Sequence, residues 1–417
     1  MKQSLFIILL FVYQLADAQN TIDKVNKYRA QHETAILKEY FSLLSIPNYA
    51  LDKVNIDKNA LFIEAMLKKR GIETKLLESN TKGSPKAVYG EVIVPGATQT
   101  IIFYAHYDGQ AVNPEKWHPS IKPYQPVLLD QSIEKSGKII AFPANGQAFN
   151  PEWRISCRSS SDDKAGVMTI INAYDALVKT GVKLNNNIKF FFEGEEEIGS
   201  LHLAEILEKH KELLKADLWL IGDGPVHQSG LPMIDFGVRG DVNVDLTVYG
   251  PKRPLHSGHY GNWAPNPCLI MSKLLASMKD EDGKVKIKGY YDDVIPFTVS
   301  EKQAFNAIPN VDAQMKKELG INKPEGGGRT LFETFEWPSL NINGIKCADV
   351  EDNASNVITT ESKATLDLRQ VLGTAYLPQV NILRKPSIEG LIISKDVSFI
   401  IVVPEPDQFF NKFFKLN

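Results

Sequence analysis

The chain has 417 residues, 43% of them hydrophobic, and a formal net charge of −3. Length and apolar content suffice for a sizeable core and predict two or three domains. The small net charge argues against nucleic acid or an anionic membrane as the main partner.

The N-terminus reads as an export signal. Lys2 precedes an apolar run over residues 5–12, and Ala16-Asp17-Ala18 forms an A-x-A cleavage site before Gln19. The run is too short to span a bilayer, so no membrane anchor is expected. The mature chain is expected to be exported, either periplasmic or secreted. The three cysteines, Cys157, Cys268 and Cys347, are too few and too scattered for a disulfide framework. They also lack the paired spacing of a thiolate zinc site.

Residues 21–44 carry helical spacing, ended by Ser45-Ile46-Pro47, and residues 59–70 read as a second helix stopped by Gly71. Three short strands follow, at 74–77, 87–94 and 100–105. Their alternation with helices predicts an α/β sheet. The third strand runs into His106-Tyr107-Asp108. In α/β sheets ligands gather at strand carboxyl ends, and a metal-binding His needs an acceptor on its other ring nitrogen. Asp108, two residues on, is placed to be that acceptor; a surface His near a turn is the alternative. Residues 117–150 read as loops and short strands. Arg158-Ser159-Ser160-Ser161-Asp162-Asp163-Lys164-Ala165-Gly166 then opens an amphipathic helix, where one Asp is explained as a helix cap and two in a row less easily.

The apolar run 188–192 reads as a buried strand. It ends in Glu193-Gly194-Glu195-Glu196-Glu197, and adjacent carboxylates there resist desolvation unless a cation joins them. A solvated acidic loop is the alternative. A helix over 204–214 leads to the strand 218–221, which ends in Gly222-Asp223-Gly224. Further on come an alternating strand at 242–248, the motif Leu255-His256-Ser257-Gly258, a helix over 266–278, and a strand with Leu366-Asp367-Leu368-Arg369. Gly326-Gly327-Gly328 lacks the Lys-Ser/Thr ending of a phosphate loop, so nucleotide binding is not expected.

The ordered set H-Y-D, R-S-S-S-D-D-K-A-G, E-G-E-E-E-I-G-S, G-D-G and L-H-S-G-H-Y-G resembles the di-zinc metallopeptidase family of carnosine dipeptidases, aminoacylases, glutamate carboxypeptidases and succinyl-diaminopimelate desuccinylases, on its dipeptidase branch. The resemblance implies an α/β catalytic domain with a mostly parallel sheet and an inserted, smaller α+β lid. The signal would occupy 1–18, the catalytic domain 19–236 and the lid 237–404. The tail 405–417 is expected to match nothing in the family. By resemblance, His106 and Asp223 each bind one zinc and Asp162 bridges both. Glu197 binds the second zinc, Glu196 is the general base and Asp108 orients His106. His256 steadies the oxyanion in a partner subunit's site, Arg369 binds the substrate carboxylate, and the lid forms a homodimer. Glu195 is expected to face solvent.

The implied activity is hydrolysis of dipeptides or short peptides. Hydrolysis of N-acyl amino acids and a non-catalytic remnant are the alternatives. The sequence departs from the family in Ser159 and Ala165, which stand where glycines are common, and no His follows His259. The family's last zinc ligand is a His beyond the lid, so two ligands of the second zinc, Asp162 and Glu197, are expected from this chain, and the catalytic domain is expected to be incomplete.

Overall fold

The computed structural model describes residues 2–144, 147–224, 226–374 and 399–402, with backbone alone at 2–20 and 399–402. The tail 405–417 lies outside the described residues. The chain divides into two compact units, Met1–Pro225 and Val226–Asn417.

The first unit opens with helix α1 (Lys2–Leu44), followed by α2 (Lys53–Lys69). The second helix starts earlier than its apolar spacing indicates, because the Asp52 side chain accepts the Asn55 N–H and caps it. Strands β1 (Glu73–Leu77), β2 (Ala87–Val92) and β3 (Thr100–His106) follow without intervening helices. A small side sheet holds β4 (Val127–Leu129), β5 (Ile139–Ile140) and β6 (Arg154–Ser156). Then come α3 (Lys164–Lys179), β7 (Asn187–Glu193), α4 (Leu203–Lys209) and β8 (Leu218–Ile221).

The main sheet has the order β1-β2-β7-β3-β8. The α/β class is as expected, but among the described residues the sheet is mixed rather than mostly parallel. The β1–β2 and β2–β7 pairs are antiparallel, whereas β7–β3 and β3–β8 are parallel. The physical reason is local: β1 and β2 are joined by a short loop and not by a crossover helix. The centre is apolar on both faces, with Phe190, Phe191 and Phe192 fully buried. Ile63 and Leu67 of α2 and Val167 and Ile171 of α3 join the same core.

Lys164 ties α3 to α1. It is wholly buried, and its Nζ donates to Leu43 O and Ile46 O, both at 2.9 Å. It thereby adds a second donor to Leu43 O, which already accepts the Ile46 N–H, and satisfies Ile46 O just past the end of α1. Burial pushes its ammonium down to about 7.

The second unit contains β9 (Gly240–Tyr249), β10 (Leu255–His256), α5 (Ser257–Tyr260), α6 (Pro267–Met278), α7 (Val299–Ala307), α8 (Asp312–Leu319), α9 (Leu331–Thr334), β11 (Ser339–Lys346), β12 (Val357–Ile358), β13 (Glu361–Gln370) and β14 (Phe399–Val402). Strands β11-β13-β9-β14 form an antiparallel sheet. Val242, Val244, Leu246 and Val248 alternate inward and pack with Met271, Leu274, Leu275 and Met278 of α6.

The cysteines correct the sequence reading. Cys268 in α6 is bonded to Cys347 just after β11, with Cα atoms 5.6 Å apart across 79 residues of sequence. That span suits a disulfide, and sequence spacing alone cannot show it. Closing a loop of that size stabilises by about 4.5 kcal/mol on the chain-entropy account. Cys157 is buried, donates to Pro123 O, and is pushed up to about 11 by burial. Native protein treated with iodoacetamide at neutral pH is therefore expected to remain unmodified. In urea without reductant, mass spectrometry should find one alkylated thiol. Two or three would contradict the pairing.

Candidate metal centre

Three parallel strand ends bring the polar groups together. β3 ends at His106, in register with Glu193 at the end of β7. β8 lies on the other side of β3 and ends just before Gly222-Asp223. The Gly222 N–H donates to Tyr104 O and the Tyr107 N–H to Glu193 O, so pairing continues past the strands. The segment leading into α3, whose N-cap is Asp163, supplies Asp162 and Asp163.

His106 is fully buried. Its Nε2 lies 2.8 Å from Asp162 Oδ1, 3.7 Å from Asp223 Oδ2 and 3.8 Å from Glu196 Oε2. Its Nδ1 lies 3.3 Å from Asp108 Oδ1, off the alignment of a good hydrogen bond. Asp108 is also fully buried, and it accepts the N–H groups of Glu196 (3.0 Å) and Glu197 (3.1 Å). It thus faces the ring and also holds the turn that carries both glutamates.

His106, Asp163 and Asp223 each place one ligand-type atom within 4.8 Å of the others. Asp163 is nevertheless already engaged: Oδ1 accepts the Gly166 N–H and Oδ2 the His106 N–H. It is the N-cap of α3. Asp162 turns toward the ring nitrogen. The two-Asp motif therefore divides into a cap and a carboxylate open to a ligand.

The charge balance is uneven. Burial works against a charged ring, but Asp108, Asp223 and Asp163 outweigh it and push His106 up to about 10. Glu196 is raised by burial and by Asp223, Glu197 and Asp108, against the pull of His106. Asp223 is raised by burial, and by Asp162 and Asp108 against His106. A single ring N–H can serve one acceptor, yet three carboxylates converge on Nε2. One nitrogen and several carboxylate oxygens are a donor set that suits zinc, and a divalent cation neutralises more of this charge than a proton.

Glu197 turns elsewhere: its Oε2 accepts from Gln110 Nε2 at 2.6 Å. Glu195 corrects the solvent-facing expectation. It is buried, accepting the His202 N–H (2.7 Å) and facing His202 Nδ1 (3.0 Å). Strand alternation does not extend to Glu195, because β7 ends at Glu193 and a tight helical turn follows at Glu196–Ile198. His256 and Arg369 belong to the second unit. His256 is exposed at the end of β10. Arg369 Nε lies 3.2 Å from Asp367 Oδ2, an ion pair within β13.

Sequence reasoning missed Asn48. Buried in the loop after α1, its Nδ2 donates to Tyr107 O (2.8 Å) and Ser159 Oγ (2.9 Å), and its carbonyl accepts the Gly109 N–H. A Cβ on Gly109 would lie 2.3 Å from Ser159 Oγ, so the close approach of these segments requires glycine.

The profile of Peptidase family M20/M25/M40 matches residues 102–410. The chain belongs to this family. The Cys-Gly metallodipeptidase of Candida albicans is 27% identical over 338 residues, covering 79% of this chain and 64% of that one. Human Beta-Ala-His dipeptidase is 32% identical over 210 residues, 48% of this chain and 40% of that one. This M20 chain thus spans less than two thirds of either relative. Among solved structures, an M20 family metallo-carboxypeptidase from Sulfolobus solfataricus is 26% identical with a TM-score of 0.67, covering 84% of this chain and 74% of that one. Human carnosine dipeptidase 1, 22% identical with a TM-score of 0.71 over 92% and 79% of the two chains, shares the fold.

Proposed function

We propose that this chain is built to hydrolyse dipeptides or short peptides at a di-zinc centre whose second site is incomplete in this chain. The observation that carries the proposal is the convergence of Asp162, Asp223 and Glu196 on His106 Nε2. Relatives named for Cys-Gly and Beta-Ala-His dipeptidase activity support this substrate class. In this reading His106, Asp223 and Asp162 would hold one ion, and Asp162 and Glu197, the latter once released from Gln110, would be this chain's contribution to a second. Zinc held there would supply Lewis-acid polarisation of the scissile carbonyl and a water of lowered pKa, toward ~7. Glu196 takes a proton from the attacking water and returns it to the leaving amine. Asp108 keeps His106 and the Glu196 backbone in place. By the family resemblance His256 donates to the oxyanion in a partner subunit's site, and Arg369 binds a substrate carboxylate once released from Asp367.

Export is part of the proposal, supported by the N-terminal signal pattern and by a Cys268–Cys347 bond that suits an oxidising compartment. Among the described residues no helix is long and apolar enough to cross a membrane. A homodimer through the second unit is proposed on the family resemblance. The test is metal analysis of purified protein with side-by-side assays of Cys-Gly, β-Ala-His and N-acetyl amino acids. Bound zinc and chelator-sensitive cleavage, faster on dipeptides, are expected. Folded protein without bound metal, or a preference for N-acetyl substrates, would overturn the reading.

A further inference from the structure

We propose that the Gly258 amide and the His259 ring fix the His256 imidazole as an exposed Nε2–H donor, making His259 a positioning residue. The use of that donor rests on the dipeptidase reading; its construction does not. The backbone of His256 is held first. His256 pairs with Val357 across β10 and β12, and the Ser257 N–H donates to Asn356 O at 2.9 Å. The ring is held next. The Gly258 N–H donates to His256 Nδ1 at 3.1 Å. A ring nitrogen that accepts carries no proton, so the proton of the neutral ring sits on Nε2.

Gly258 fits this task because it lacks a side chain. A Cβ there would stand 2.9 Å from His256 Cε1 and 3.0 Å from Nδ1, forcing the ring off its amide. His259 completes the support. Its ring centroid lies 4.8 Å from that of His256, with planes inclined by 35°. That separation is a ring contact, and it restricts rotation of His256 about χ2. An unsupported exposed imidazole would sample both ring flips and both tautomers. Ordering those states beforehand reduces what the reaction must order later. Two histidines in a polar turn therefore have separate duties: one donates and the other holds it.

The test uses the full chain labelled with 15N-histidine, with two-bond proton–nitrogen spectra recorded under mildly alkaline conditions. H256Q assigns the signal. In wild type, His256 should show an unprotonated Nδ1 and a protonated Nε2. His259→Ala should move the pattern toward a mixture of tautomers, and His259→Phe, which retains a ring, should restore it. In dipeptide assays His259→Ala should lower kcat roughly tenfold with little change in KM, and His259→Phe should recover most of it. A proton on Nδ1 in the wild type, or an unchanged spectrum in His259→Ala, overturns the proposal. If the wild type cleaves no dipeptide, the functional reading fails while the spectra still decide this one.

Discussion

Glu196→Gln is expected to lower kcat for dipeptide hydrolysis by about two to four orders of magnitude while leaving bound metal unchanged. The substitution keeps the size of the side chain and the backbone N–H bond to Asp108. It removes the ability to accept and return a proton. Glu196 suits that task because its carboxylate lies 3.8 Å from His106 Nε2, at the edge of the cluster. It is only half-buried, so substrate and water can reach it. Burial and the neighbouring carboxylates raise its pKa, bringing it nearer the working range of a general base. Asp162→Asn is the contrasting variant. Its oxygen is the closest to the ring nitrogen, so it should lose metal as well as activity. Metal analysis and steady-state kinetics on both proteins separate the two roles. If Glu196→Gln retained a third or more of wild-type kcat, the general base would have to be another group.

The parts of the centre that follow from strand ends were legible in the sequence. His106, Asp223 and the glutamate run each stand directly after an apolar stretch, and parallel pairing brings those ends to one edge. The parts that depend on turns were not. Glu195 was misread because the chain leaves the strand two residues before it. Asp163 and Asp162 look alike in sequence, and the backbone amides of Gly166 and His106 distinguish them. Asn48 sits 58 residues before His106, and nothing in its neighbourhood signals a buried amide spanning three segments. The Cys268–Cys347 bond is hidden for the same reason: a contact across 79 residues leaves no local pattern. The mixed sheet arises because a hairpin and a crossover have similar apolar runs and differ in what joins them.

Asp108→Asn tests whether one carboxylate organises both halves of the centre. Asp108 presents acceptors to three donors: the amides of Glu196 and Glu197 and, when Nδ1 carries the proton, the His106 ring. An ionised carboxylate can serve all three, since it has no proton of its own. Asparagine has one acceptor oxygen, and its NH2 must face one of those donors wherever it is turned. At a fully buried position that conflict costs about 1–3 kcal/mol of stability. The effect on the centre should be larger than the effect on folding. Losing the group that orients a ligating His weakens metal binding roughly 10–100-fold. Displacement of the Glu196–Glu197 turn should lower kcat further, because the proposed proton acceptor and the proposed ligand would move together. Chelator-competition titrations measure the first loss, urea unfolding of metal-free protein measures the stability cost, and kinetics at saturating zinc measure the second loss. If saturating zinc restored full kcat, Asp108 would act through His106 alone, and its bonds to the two glutamate amides would be irrelevant to catalysis.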